Sequence, residues 1–182
     1  SVLDTLGARL ETENSLIVAE TYQVLSYIRR AQGNYLAALA ELEKALGIKT
    51  KIFGSKSRAV VELQNEKARL LIAFHRLTEA NDIIESALRN IEFDQPLYRL
   101  LKSDLLVQRG ILRDYKWEYD QAIESIEEAI KLRKDLLGDD DVELARLYVE
   151  KAAVLRHQNE YNDALKDLEA AQNIDNRHFS DE

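Results

Sequence analysis

Ala38, Ala80, Ala122 and Ala164 stand 42 residues apart, and Ala45, Ala87, Ala129 and Ala171 repeat that interval seven residues later. The surroundings recur too. Tyr35, Leu77, Tyr119 and Tyr161 lie three residues before the first alanine, and Leu42, Ile84, Ile126 and Leu168 four residues after it. One supersecondary unit is therefore copied four times. A period of this size marks a stacked array, because one unit cannot bury its apolar face and must cover it with its neighbours. The expected product is an elongated stack without a single central core.

The unit is helical by composition. Six glycines and one proline punctuate 182 residues, and the stretches between them are rich in Ala, Leu, Glu, Lys and Arg, which predicts an all-α chain. No apolar run reaches the roughly 18 residues a membrane span needs, and the N-terminus lacks a basic segment followed by an apolar one. No membrane partner is expected. Zero cysteines exclude disulfides and thiolate metal sites but fit any redox compartment, so cytoplasm is the default. The chain has no methionine, even at its first residue, as expected of a piece of a longer protein whose other domains hold the activity.

Charge is uneven. Residues 1–91 carry a net +1 and residues 92–182 a net −9. Lys44, Lys49, Lys51, Lys56 and Arg58 fall in the acid-free stretch 44–61, which is either a solvated helix end and loop or a docking patch for an acidic partner. The acidic total disfavours nucleic acid, whose phosphates would repel it.

Each unit reads as two amphipathic helices joined by a short turn, marked by Gly33-Asn34-Tyr35 in the first and Asn159-Glu160-Tyr161 in the fourth. Small residues Ser26, Ala68, Gly110 and Ala152 recur on the first helix, with Tyr22, Leu106 and Tyr148 beside them, and the alanine pair recurs on the second. This order of bulky, small, Gly, aromatic and alanine positions resembles the tetratricopeptide repeat over roughly residues 19–182. The resemblance implies a right-handed superhelical solenoid of antiparallel helix pairs, with repeats at 19–60, 61–102, 103–144 and 145–182. Residues 1–18 would be the end of a preceding repeat or an N-terminal helix, with Leu3, Leu6 and Leu10 at helical spacing in a short leading helix. The usual repeat of this family has 34 residues, and eight more make about two extra helical turns. Leu132, Leu136, Leu137 and Gly138-Asp139-Asp140-Asp141 make the long units similar to those of kinesin light chains. Gly54, Pro96 and Gly138 occupy the unit boundary at 42-residue spacing, where Gly ends a helix, Pro opens one and the Asp run caps the next. Unit 2 departs most, with His75 in place of the turn glycine, Leu77 for tyrosine and Gln64 for the bulky residue.

No catalytic constellation is visible, and neither an enzyme nor a cofactor is expected. His75, His157 and His178 are isolated and do not form a paired metal motif. The Asp run reads as capping rather than a cation loop. No Gly-rich phosphate loop or nucleophile elbow occurs. The family resemblance instead implies a concave surface lined by first helices and receiving a peptide or helix of a protein partner. Carried over, it places Gln23, Tyr27, Arg30, Asn65, Glu66, Arg69, Gln108, Ile111, Tyr115, Glu150, Arg156 and His157 in that groove. The alternative is that these are a solvated face. The lysine and asparagine pattern that clamps a chaperone's C-terminal carboxylate in some relatives is not reproduced. Lys67-Ala68, Arg109-Gly110 and Lys151-Ala152 look like repeats in the arm of maltose-regulon-type transcription activators, so a sensor or regulatory arm is the second reading.

One regularity lies outside the family pattern. Glu43, Glu85 and Glu127 each precede a basic residue, Lys67, Arg109 and Lys151, by 24 positions. These basic residues stand where the family commonly has Leu, as at Leu25, and a charge there calls for a partner. Three ion pairs between a second helix and the next first helix are expected, the alternative being that both rows are ordinary solvated positions in a chain rich in Glu and Lys.

Overall fold

The computed structural model describes residues 2–90 and 95–179, with side chains placed from Thr12 onward except Asn90, Leu97 and Phe179. Leu3, Leu6 and Leu10 therefore lie outside the described side chains. The described residues hold eight helices and no strand: α1 (Val2–Ala31), α2 (Tyr35–Phe53), α3 (Arg58–Ala73), α4 (Leu77–Asn90), α5 (Pro96–Tyr115), α6 (Tyr119–Leu137), α7 (Glu143–His157) and α8 (Tyr161–Phe179). They fall into two compact units, Ser1–Asn90 and Ile91–Glu182. Each unit contains two helix pairs, α1 with α2 and α3 with α4 in the first, α5 with α6 and α7 with α8 in the second.

The alanine rows form the close seams of these pairs. Ala38, Ala80 and Ala122 are fully buried, as are Ala45 and Ala129, and Ala87, Ala164 and Ala171 nearly so. The small residues opposite them explain the approach. The Ser26 hydroxyl donates to the Ala38 carbonyl at 2.7 Å, and a Cβ added at Gly110 would stand 2.6 Å from Ile126 Cγ1 and 3.1 Å from the Ala122 carbonyl oxygen. Around the seams Leu63, Leu71, Ile84, Leu105, Leu106, Leu112 and Ile126 are buried, each contributing about 1.5–3 kcal/mol by leaving water. Of the row Leu42, Ile84, Ile126 and Leu168, only Leu168 is exposed, at 43%.

All four turns within the pairs are the same. Gly33, His75, Trp117 and Asn159 have φ of +74°, +56°, +64° and +67°. In each turn this residue's N–H reaches back three residues, and the next N–H reaches back five: Gly33 to Arg30 and Asn34 to Arg29 in the first, Trp117 to Asp114 and Glu118 to Arg113 in the third. This is the Schellman ending, in which a left-handed residue lets two otherwise unpaired carbonyls be satisfied. The divergent second repeat keeps it, with His75 N–H to Ile72 and Arg76 N–H to Leu71. At the repeat boundaries Gly54 and Gly138 end α2 and α6 at φ +82° and +85°, and Pro96 opens α5.

One expectation fails at the N-terminus. Residues 2–31 run as one 30-residue helix, not as a short leading helix followed by a separate first helix. The segment around Thr12-Glu13-Asn14-Ser15 contains no Pro or Gly, so nothing in it stops the helical hydrogen-bond ladder.

Candidate functional site

In the first unit the predicted groove residues converge. Arg30 Nη1 lies 3.2 Å from Glu66 Oε2, Arg69 Nη2 lies 3.0 Å from Glu66 Oε1, and the Arg30 guanidinium sits 5.2 Å from the centre of the Tyr27 ring. Tyr27, Arg30, Arg69 and Tyr35 line a cavity of about 460 Å³, and Gln23, Tyr27, Arg30 and Glu66 line one of about 270 Å³. Two arginines thus share one carboxylate beside an exposed tyrosine. Gln23 also accepts from Lys49 Nζ. Asn65 is half-buried, with its Oδ1 unpaired.

In the second unit Ile111, Tyr115, Glu150 and His157 line a cavity of about 400 Å³. Five residues outside the expected groove set complete its walls: Asp114, Trp117, Tyr119, Ala153 and Val154. The His157 Nδ1 is 2.8 Å from Asp114 Oδ1, and its Nε2 is 2.9 Å from Arg156 Nη2. A guanidinium only donates, so Nε2 must accept and the imidazole proton is assigned to Nδ1, where it is donated to Asp114. The Trp117 and Tyr119 rings meet edge to face at 6.2 Å between centroids, and Tyr119 lies 6.3 Å from the His157 ring.

Gln108 departs from its assignment. It is 4% exposed, with Oε1 unpaired, so it offers a ligand almost no surface. The analogy that placed it in the groove counts positions along the helix, whereas the packing around α5 turns that position inward.

Glu150 is half-buried, and burial raises its pKa above the ordinary 4.5, with Arg146 opposing and Asp114 adding to the rise. A carboxyl whose pKa is raised on folding gives up stability as pH climbs from its unfolded value through its folded one. Glu150→Gln should therefore raise the melting temperature at neutral pH, and the gain should vanish below about pH 4.5. Melting curves of both proteins across that range check it. A variant less stable than the parent at pH 7 would contradict the burial argument.

Trp117 is also locally unfavourable. It is 79% exposed at positive φ, a conformation that costs an L-residue about 1–2 kcal/mol and a glycine nothing. Trp117→Gly should relieve that strain, offset by about 0.4–1 kcal/mol of chain entropy, for a net gain of about 0–1.6 kcal/mol in denaturant titration. A loss beyond about 1 kcal/mol would mean the ring packs more than its exposure indicates.

The charge rows are met at both places where the pair lies within one unit. Lys67 Nζ is 2.8 Å from Glu43 Oε1 across α2 and α3, and Lys151 Nζ is 3.1 Å from Glu127 Oε1 across α6 and α7. The glutamates are 51% and 56% exposed, so each pair is worth about 0–1 kcal/mol. The expected Glu85–Arg109 pair would span the two units; within its own unit Arg109 lies 3.4 Å from Glu128. Lys151 also lies 3.2 Å from the buried Asp167. In the basic stretch Lys44 pairs with Glu41, Lys49 with Gln23 and Arg58 with Glu62. The Asp run engages cations and a helix start: Asp139 meets Lys134, Asp140 meets Arg177, and Asp141 meets Arg133 and accepts from the Glu143 N–H.

The sequence profile of the tetratricopeptide repeat matches residues 19–51 and 110–177. Similar solved structures include BtubC (BKLC) from P. vanneervenii, at TM-score 0.70 and 20% identity over 86% of this chain and 62% of that one. A putative kinesin light chain from Podosopora anserina, with nearly identical TPR-like repeats, aligns at TM-score 0.62 and 18% identity over 88% and 76%. MamA aligns at 0.60 and 17% over 89% and 81%. The chain spans less than two thirds of BtubC, and at these identities the likenesses establish the fold alone. No curated protein sequence matches. The chain belongs to the tetratricopeptide repeat family, with long 42-residue units similar to the kinesin light chain type. Among the described residues no helix is long and apolar enough to cross a membrane.

Proposed function

We infer that this chain is a protein-interaction module that receives a peptide or helix of its partner on the first-helix surface. The observation that carries the reading is convergence: side chains from successive first helices meet around one cavity in each unit, Tyr27, Arg30 and Arg69 in the first and Ile111, Tyr115, Glu150 and His157 in the second. Aromatic and arginine side chains dominate binding energy at such surfaces because they combine contact area with directed hydrogen bonds. The cytoplasmic setting belongs to this reading as the default from composition.

The regulatory-arm alternative rested on the basic-then-small pairs. Packing accounts for them, since Lys67 and Lys151 make the ion pairs described above, Gly110 lies at a close helix crossing, and Ala68 and Ala152 are buried, so the interaction module is preferred.

The test is selection of displayed random peptides on the 182-residue chain, followed by Arg69→Ala and Tyr115→Ala. Each substitution should weaken selected peptides by roughly tenfold, about 1.4 kcal/mol, while leaving the melting temperature unchanged. Normal binding by both variants, with loss on substituting Lys49, Lys51 and Arg58, would move the site to the basic stretch.

A further inference from the structure

We propose that the cavity between the α5–α6 turn and α7 is a receptor for one basic side chain, a lysine or arginine, presented by the partner peptide. This rests on the interaction-module reading and specifies its chemistry in the second unit. The walls supply three aromatic rings, Tyr115, Trp117 and Tyr119, and two carboxylates, Asp114 and Glu150. An aromatic face attracts a cation through its negative quadrupole, and does so most strongly for Trp. The apolar stem of a lysine or arginine covers Ile111 and the rings while its charged head meets the carboxylates.

The carboxylates are available for this role to different degrees. Asp114 already accepts from His157, which fixes its orientation. Glu150 has no hydrogen-bond or ion-pair partner among the described residues and is held half-buried beside Asp114, so an arriving cation would offset both the cost of its burial and the repulsion from Asp114. The unit as a whole carries a net −9, a long-range field that draws a basic peptide and repels an acidic one. Trp117 sits in the one turn of the four where an indole occupies the left-handed position, and it packs little of its surface against the protein. Glutamate and tryptophan are thus both locally costly here, as is common where a binding site overrides folding preference.

The chain's single tryptophan reports on the cavity directly. The full chain is titrated with four acetylated and amidated pentapeptides, each with two glycines either side of arginine, lysine, norleucine or glutamate, while Trp117 emission is followed. Arginine and lysine peptides should give saturable changes, at least tenfold tighter than norleucine, and should weaken with added salt as a charge contact does. Glu150→Gln, which is expected to be the more stable protein, should lose that preference by about tenfold. Equal binding of norleucine would overturn the proposal in favour of a purely apolar pocket. Preference for glutamate, absence of any saturable change, or an unaltered preference in Glu150→Gln would overturn it as well. If these probes fail while Arg69→Ala still weakens the selected peptides, the interaction module stands and the basic-side-chain receptor falls.

Discussion

Asp141→Ala is expected to destabilise the second unit by about 3–5 kcal/mol, the loss typical of stranding one member of a buried ion pair. Arg133 on α6 is 8% exposed as a residue, and its Nη1 lies 2.9 Å from Asp141 Oδ2; both side chains are within about a tenth of full burial. Asp104 stands 3.6 Å from the other guanidinium nitrogen and is too exposed, at 35%, to neutralise the charge alone. Asp141 also accepts from the Glu143 N–H at 3.2 Å, so its loss removes a helix-start hydrogen bond worth about 0.5–2 kcal/mol. Asp139, two residues earlier, is 77% exposed beside Lys134, and Asp139→Ala should leave the unfolding midpoint unchanged. Urea titration of the two variants, read by helical circular dichroism, compares them. Equal effects would show that charge alone, not burial, decides what these aspartates contribute.

That contrast also separates what the sequence shows from what it hides. The repeat reveals equivalent positions: the alanine seams, the Gly and Pro boundaries and the Glu-to-basic spacing all compare a residue with its counterpart 42 positions away. The ion pairs Glu43–Lys67 and Glu127–Lys151 follow from that comparison. The Asp run is legible only as capping, because the partners of Asp141 and Asp140, Arg133 and Arg177, carry no repeat signal. The second-unit cavity is only partly legible: the family resemblance reaches Ile111, Tyr115, Glu150 and His157 but not Asp114 or Trp117. It joins Trp117 from a turn, Asp114 from the end of α5 and Glu150 and His157 from α7, which are not equivalents of one another. The available clue was local: Trp117 stands at the spacing of Gly33 and Asn159, where a left-handed turn favours a residue without a bulky side chain. Gln108 shows the converse error, since a family position taken as exposed is here buried.

Ala122→Leu should destabilise by about 1–3 kcal/mol, because three extra carbons must enter a seam that already excludes a single one. Ala122 is fully buried, and its backbone faces Gly110 so closely that even a methyl group there would meet the Ala122 carbonyl oxygen at 3.1 Å and Ile126 at 2.6 Å. The helices α5 and α6 would have to separate, carrying Trp117 and Tyr119 with them. The equivalent change one repeat later has a different surrounding. Ala164 is 6% exposed and lines an apolar cavity of about 410 Å³ with Val149, Ala152, Tyr161, Leu165 and Leu168, so a leucine there has room to turn into the cavity. Ala164→Leu should cost little or stabilise slightly, since buried apolar area contributes about 25 cal/mol per Å². Chemical denaturation of the two variants tests whether the repeat position or its surroundings set the cost. A larger loss at Ala164 than at Ala122 would mean that the last helix pair is packed more tightly than the cavity indicates.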